Sequence, residues 1–138
     1  MGKIMGIDYG AKRVGVALSD NTNTFAFPKT LWSNDERLLD RICYLCREED
    51  VEEVVVGESQ SFAMKDNPIA PRARAFAAEV RRRCGVRVVF EPEVLSTQQA
   101  RRLAPKRQGV DVVAAAVILE AYLARKRGGT LEQYDVIE

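Results

Sequence analysis

Two strand-patterned runs at the head of the chain restrict its fold more than any other feature. Lys3 to Tyr9 is mostly apolar, Gly10-Ala11-Lys12 turns the chain, and Arg13 to Ser19 resumes with Val14, Val16 and Leu18 in alternation. That pattern predicts an antiparallel hairpin. Beyond the turn cluster Asp20 to Thr24, Phe25 to Lys29 predicts a third, edge-like strand that ends at Pro28. The periodicity then changes. Ser33 with Glu36 three residues on reads as a capping box. The helix it opens would bury Leu38, Leu39, Ile42, Leu45 and Cys46. Val51 to Gly57 contains the unbroken run Val54-Val55-Val56, as a buried parallel strand does. Glu58 to Pro68 reads as a polar loop, and Pro71 suits the first turn of a second helix ending at Gly85. Val86 to Phe90 predicts another buried strand, and Ser96 to Gln99 caps a short helix reaching Leu103. Val110 to Lys126 is alanine-rich and apolar nearly all round, which predicts a central helix. Gly128-Gly129 ends it, and the last residues read as a loose tail. The order β-β-β-α-β-α-β-α-α is that of an α/β protein: a mixed sheet, with an antiparallel hairpin meander followed by parallel strands, flanked by helices. The length of 138 residues suits one domain.

The chain holds no histidine and three cysteines. Without histidine, Ser-His-Asp and Cys-His catalysis are excluded. An odd cysteine count and an opening without a secretory pattern argue against a disulfide framework and for a cytoplasmic location. Cys43-x-x-Cys46 resembles half a zinc site, but only Cys84 remains to complete it, so packing on a helix is the better reading. The apolar stretch Val110 to Leu119 is too short to span a bilayer, so no membrane contact is expected. The net charge of +1 conceals an asymmetry. Residues 34–66 carry ten acidic and four basic side chains, and residues 72–107 carry ten basic and three acidic ones. The second stretch is either a phosphate-binding surface or a solvated helix face.

Three acids stand where a buried-strand protein does not casually put them. Asp8 interrupts the first strand, Glu93 follows the strand ending at Phe90, and Asp111 lies in the first turn of the last helix. Ligands of α/β sheets bind at strand carboxyl ends. Carboxylates converging there repel one another unless a hard divalent cation lies between them, and Mg²⁺ or Mn²⁺ accepts such oxygen ligands. Two ions about 4 Å apart would serve phosphodiester hydrolysis. Each acid also has a plain structural use: Asp8 as a turn cap, Glu93 as a solvated loop residue, Asp111 as a complement to the helix dipole. Glu58, at the end of its strand, is either a further ligand or an exposed loop acid.

The run from Met5 to Asp20 (MGIDYGAKRVGVALSD) resembles the opening signature of the YqgF family, also called RuvX, Holliday junction resolvases of ribonuclease H fold. Gly109 to Leu123 resembles the family's closing motif, an aspartate leading an alanine-rich helix. Phe90 to Ala100 is similar to its central Asp-Glu-Arg-Leu-Thr segment. The resemblance spans residues 3–125. It implies that residues 1–127 form a ribonuclease H-like nuclease domain with 128–138 as a C-terminal tail, and that Asp8, Glu93 and Asp111 hold the metal. It also implies that Lys12 and Arg13 meet a phosphate beside the first acid. The basic residues Arg101, Arg102, Lys106 and Arg107 are expected to extend that contact. The family is associated with processing the 5′ end of precursor small-subunit rRNA and with resolving branched DNA. Two departures stand out. Pro92 replaces the usual aspartate and Val94 the usual arginine, and Gly57-Glu58-Ser59 replaces Gly-Leu-Pro. Glu58 is therefore an alternative second acid, as in the related RuvC resolvases.

Two readings remain: a metal-dependent endonuclease on structured RNA or branched DNA, and a binding module of the same fold that has lost catalysis and acts in ribosome biogenesis. An actin-like ATPase would need two copies of this fold, and the chain length allows one. Phe62, Met64 and Trp32 leave both a monomer and a homodimer open.

Overall fold

A computed structural model describes residues 2–58, 69–91 and 110–138, and the side chains of these except 58, 69–71 and 110–112. Its elements are β1 (Lys3–Tyr9), β2 (Arg13–Ser19), β3 (Ala26–Ser33), α1 (Leu38–Glu48), β4 (Val51–Glu58), α2 (Ile69–Cys84), β5 (Arg87–Glu91), α3 (Val110–Gly128) and β6 (Asp135–Ile137). The six strands form one sheet in the order β3-β2-β1-β4-β5-β6. β1, β2 and β3 pair antiparallel, β1, β4 and β5 pair parallel, and β6 returns antiparallel on β5. The expected mixed sheet with flanking helices is the architecture observed. The short helix expected over Ser96 to Leu103 and the loop from Ser59 to Pro68 lie outside the described residues.

Strand alternation sends successive side chains to opposite faces. Met5, Ile7, Val54, Val56, Val88 and Phe90 share one core with α1 and α2, where Leu38, Ile42, Phe76 and Val80 meet them. Ile4, Ala17, Val55 and Val89 face the other way and pack on Ala115, Ile118, Leu119 and Tyr122 of α3. Among the described residues α3 is the one helix on its face, and Val113 on it is 38% exposed. Two glycines bring it close. A Cβ at Gly6 would stand 2.7 Å from Leu119 Cβ and 2.8 Å from the Ala115 carbonyl oxygen, and one at Gly57 would stand 2.8 Å from Ile118 Cδ1.

Four expectations need correction. β3 extends past Pro28 to Ser33. It is the sheet edge, with a register shift between Val16 and Ala17, where a residue lacking an N–H is tolerated. Ser33 consequently ends a strand and does not cap α1. That helix starts at Leu38, and Asp35 serves its entry, its Oδ1 accepting the Arg37 N–H at 3.0 Å and its carbonyl the Leu38 N–H at 3.1 Å. The last residues are not a loose tail: Tyr134 is buried and β6 extends the sheet beside β5. Finally, Cys43 of α1 and Cys84 at the end of α2 form a disulfide with a Cα–Cα distance of 5.0 Å, leaving Cys46 buried and free. The cysteine count gave no hint of it, because α1 and α2 are brought side by side only when both fold onto the same face of the sheet.

Behind α3 lies a buried polar hub. Glu53, 2% exposed, accepts hydrogen bonds from Arg87 Nε at 2.9 Å, Tyr122 Oη at 2.6 Å and Lys126 Nζ at 2.6 Å. Burial raises its carboxyl, but the donated bonds of Lys126 and Tyr122 outweigh this and hold it below the usual glutamate range. Among the described residues no helix is long and apolar enough to cross a membrane.

Candidate active site

Asp8 shares the α3 face of β1 with Ile4 and Gly6, because Met5, Ile7 and Tyr9 point into the opposite core. It is 1% exposed. In register it lies opposite Gly15 of β2 on one side and Gly57 of β4 on the other. Neither flanking glycine carries a side chain, and the carboxylate lies near the carboxyl end of the parallel strands. An ionised carboxylate buried this deeply needs positive charge or donors to be tolerated.

α3 runs antiparallel to β4, since Ile118 lies over Gly57 whereas Tyr122 and Lys126 reach Glu53. Its register on β1 is set by Ala115 and Leu119 against Gly6. Asp111 is one turn before Ala115, about 6 Å along the helix. Asp8 is two residues beyond Gly6, about 6.6 Å along the strand in the same direction. The backbone of Asp111 therefore stands above the end of β1 that carries Asp8. Glu58 closes β4, with its backbone in register with Tyr9. Glu93, Arg101, Arg102, Lys106 and Arg107 lie outside the described residues, as do the side chains of Glu58 and Asp111. Among the described residues no three His, Cys, Asp or Glu side chains gather.

The two basic residues beside the first acid are at the same end. Lys12 sits in the β1–β2 turn and Arg13 opens β2, both exposed. Val14 belongs to the α1–α2 core, so Arg13 falls on the Asp8 face. The turn is held from outside, with the Lys12 carbonyl accepting the Asn34 N–H at 2.9 Å and the Gly10 carbonyl accepting Asn34 Nδ2 at 2.8 Å.

One acid escaped the sequence reading. Glu91 ends β5 on the α3 face, one strand beyond Gly57 and level with Asp8. It is 1% exposed, with Arg125 Nη1 3.9 Å away. Beside it, burial raises the Tyr134 phenol to about 12, against the lowering hydrogen bond from Arg125. The run Val88-Val89-Phe90 carried a signal, since an acid that directly follows an apolar strand by period two continues one of its faces.

The donor set is all oxygen. A buried carboxylate at the strand ends, with an aspartate-bearing helix terminus above it and cationic side chains beside it, suits a hard divalent ion and suits no soft one.

Comparison with known proteins gives the family. The family model described as RuvX, Holliday junction resolvase, matches residues 2–125. A Bacillus cereus (strain AH187) protein named as a pre-16S rRNA nuclease is 35% identical over 136 residues, covering 90% of this chain and 99% of that one. Its Bacillus cytotoxicus counterpart, of the same name, is 33% identical over the same shares. Among solved structures, T. thermophilus RuvC in complex with a Holliday junction substrate superposes with a TM-score of 0.68 at 15% identity, covering 98% of this chain and 99% of that one. That likeness shows the fold.

Proposed function

The chain belongs to the RuvX family, and we propose that it is a divalent-metal-dependent endonuclease that cuts structured nucleic acid, with precursor small-subunit rRNA as the favoured substrate. The relatives that share a third of its residues are named for that RNA. One observation carries the reading: Asp8, buried between two glycines, at the strand end over which the Asp111 backbone stands.

Asp8 and Asp111, with Glu93 or Glu58 as the second acid, would hold Mg²⁺ or Mn²⁺. The ion, when bound, supplies positive charge to the phosphodiester and makes water a stronger nucleophile near neutral pH. The chain's own part is binding and placement. Lys12 and Arg13 present charge-assisted donors to a phosphate at the mouth of the site. Gly15 and Gly57 flank Asp8 without side chains, and the packing of α3 on Gly6 sets how far the Asp111 backbone stands from β1. A positioned backbone of this kind contributes by orientation, which is worth several kcal/mol when the geometry is held to about 1 Å.

The test is cleavage of precursor small-subunit rRNA and of a four-way DNA junction by purified protein with Mg²⁺ or Mn²⁺. Asp8→Asn should bring cleavage to background while circular dichroism stays native. Cleavage that persists in Asp8→Asn would reject the assignment. Pro92 and Val94 favour the second reading, a binding module. Wild-type protein that binds these substrates in a salt-sensitive way but cuts neither would establish it.

A further inference from the structure

On the sheet face opposite Asp8, a groove of about 700 Å³ runs between the β3 edge and α1. Trp32 lines it from β3, half-buried against the core, and Arg37, Arg41, Tyr44 and Arg47 line it from α1 and its entry. Positions 37, 41 and 44 follow helical spacing, so they share one stripe. Tyr44 is 58% exposed, a large ring left in solvent beside three guanidinium groups.

The charges there are unevenly matched. Asp40, the acid of the groove, is taken by Arg83 Nη2 at 2.6 Å, and Arg41 has Asp35 at 3.5 Å. Among the described residues Arg37 and Arg47 have no carboxylate within salt-bridge distance. Two rings with unspent arginines beside them form a stacking platform in a positive groove, the arrangement by which proteins hold unpaired nucleotides without reading sequence.

We propose that this groove binds a single-stranded polynucleotide segment, with bases stacked on Tyr44 and Trp32 and phosphates on Arg37 and Arg47. The proposal deepens the nuclease reading and rests on it for its purpose. The path between the two sites is short. Arg13 is in register with Ser33 and Val14 with Trp32, and Asn34 is bonded to the turn that carries Lys12. An unpaired end leaving the Asp8 site over Lys12 and Arg13 crosses the end of β3 and enters the groove.

Trp32 is the single tryptophan of the chain, so it reports on its own surroundings. Titration of the full chain with a twelve-residue oligouridylate should quench its emission, with binding that weakens as salt rises. Arg37→Ala with Arg47→Ala should lower the slope of log affinity against log salt by about 1.4, two contacts at roughly 0.7 each. Tyr44→Ala should weaken binding about five- to hundredfold. These positions are exposed, and native melting confirms that each variant folds. Wild-type cleavage of a blunt-ended junction, measured in parallel, separates the two readings. Cleavage without quenching by oligouridylate overturns the groove and leaves the nuclease standing. Quenching lost in the variants, without wild-type cleavage, supports the groove and sinks the nuclease. Equal quenching by polyglutamate of the same charge overturns the groove as a nucleotide site.

Discussion

Replacing Gly6 by alanine tests whether the packing of α3 on β1 sets the active site. The new methyl group would meet Leu119 Cβ at 2.7 Å and the Ala115 carbonyl oxygen at 2.8 Å. Ordinary carbon contacts are about 3.5–4.0 Å, so α3 must retreat by about 1 Å. Neither obstacle can rotate away, since one is helix backbone and the other is fixed to it. Overpacking of this kind costs about 1–3 kcal/mol. The lost freedom of the unfolded glycine returns about 0.4–1 kcal/mol. The net loss should be about 1–2 kcal/mol. Gly57→Ala is the control, because its methyl meets Ile118 Cδ1 at 2.8 Å, the far end of a side chain that can turn. A skewed rotamer costs about 0.5–1.5 kcal/mol, which the same entropy return nearly offsets. Urea unfolding should therefore separate the two variants by at least about 1 kcal/mol. Cleavage by Gly6→Ala should fall by up to roughly a hundredfold under folded conditions, because a retreat of about 1 Å carries Asp111 from Asp8. Equal stability of the two variants, or full cleavage by Gly6→Ala, would refute the argument that this glycine holds helix and strand at their working distance.

Reduction of the Cys43–Cys84 bridge, which spans 41 residues, should remove about 4 kcal/mol by the chain-entropy relation and lower Tm by on the order of 10 °C; melting with and without dithiothreitol checks this, and an unchanged Tm with three free thiols by mass spectrometry would contradict it. Burial raises the Cys46 thiol to about 11, so alkylation of native protein should leave that residue unmodified until the chain unfolds. Glu53→Gln should cost about 3 kcal/mol at pH 7 by leaving buried donors mismatched. The Glu53 carboxyl is held below its usual range, so its contribution is complete above that range and is lost as pH falls through its folded value. The stability gap between wild type and Glu53→Gln should accordingly narrow in acid, and a gap constant from pH 7 to pH 3 would disprove the linkage.

The hairpin, the Val54–Val56 strand, the long helix after Gly109 and the odd acid at position 8 were all legible along the chain. Each is a local pattern: a period of two or 3.6, or one charge among apolar neighbours. What escaped has partners distant in sequence. β6 exists because β5 offers an edge, and Asp135 to Ile137 have no strand pattern of their own. Pro28 looked like a strand end, yet the edge position lets β3 continue to Ser33. Cys43 and Cys84 pair because two helices happen to cover one face of the sheet. Glu53 was one acid in an acidic run until Tyr122 and Lys126, 69 and 73 residues on, closed over it. Glu91 passed unnoticed because its importance lies in being level with Asp8 across Gly57, a relation of register between strands. Periodicity says which face a residue takes, and the amino-acid order alone settled that much. Which residues then stand opposite one another depends on how strands slide and where a helix comes to rest, and those are properties of the whole packed chain.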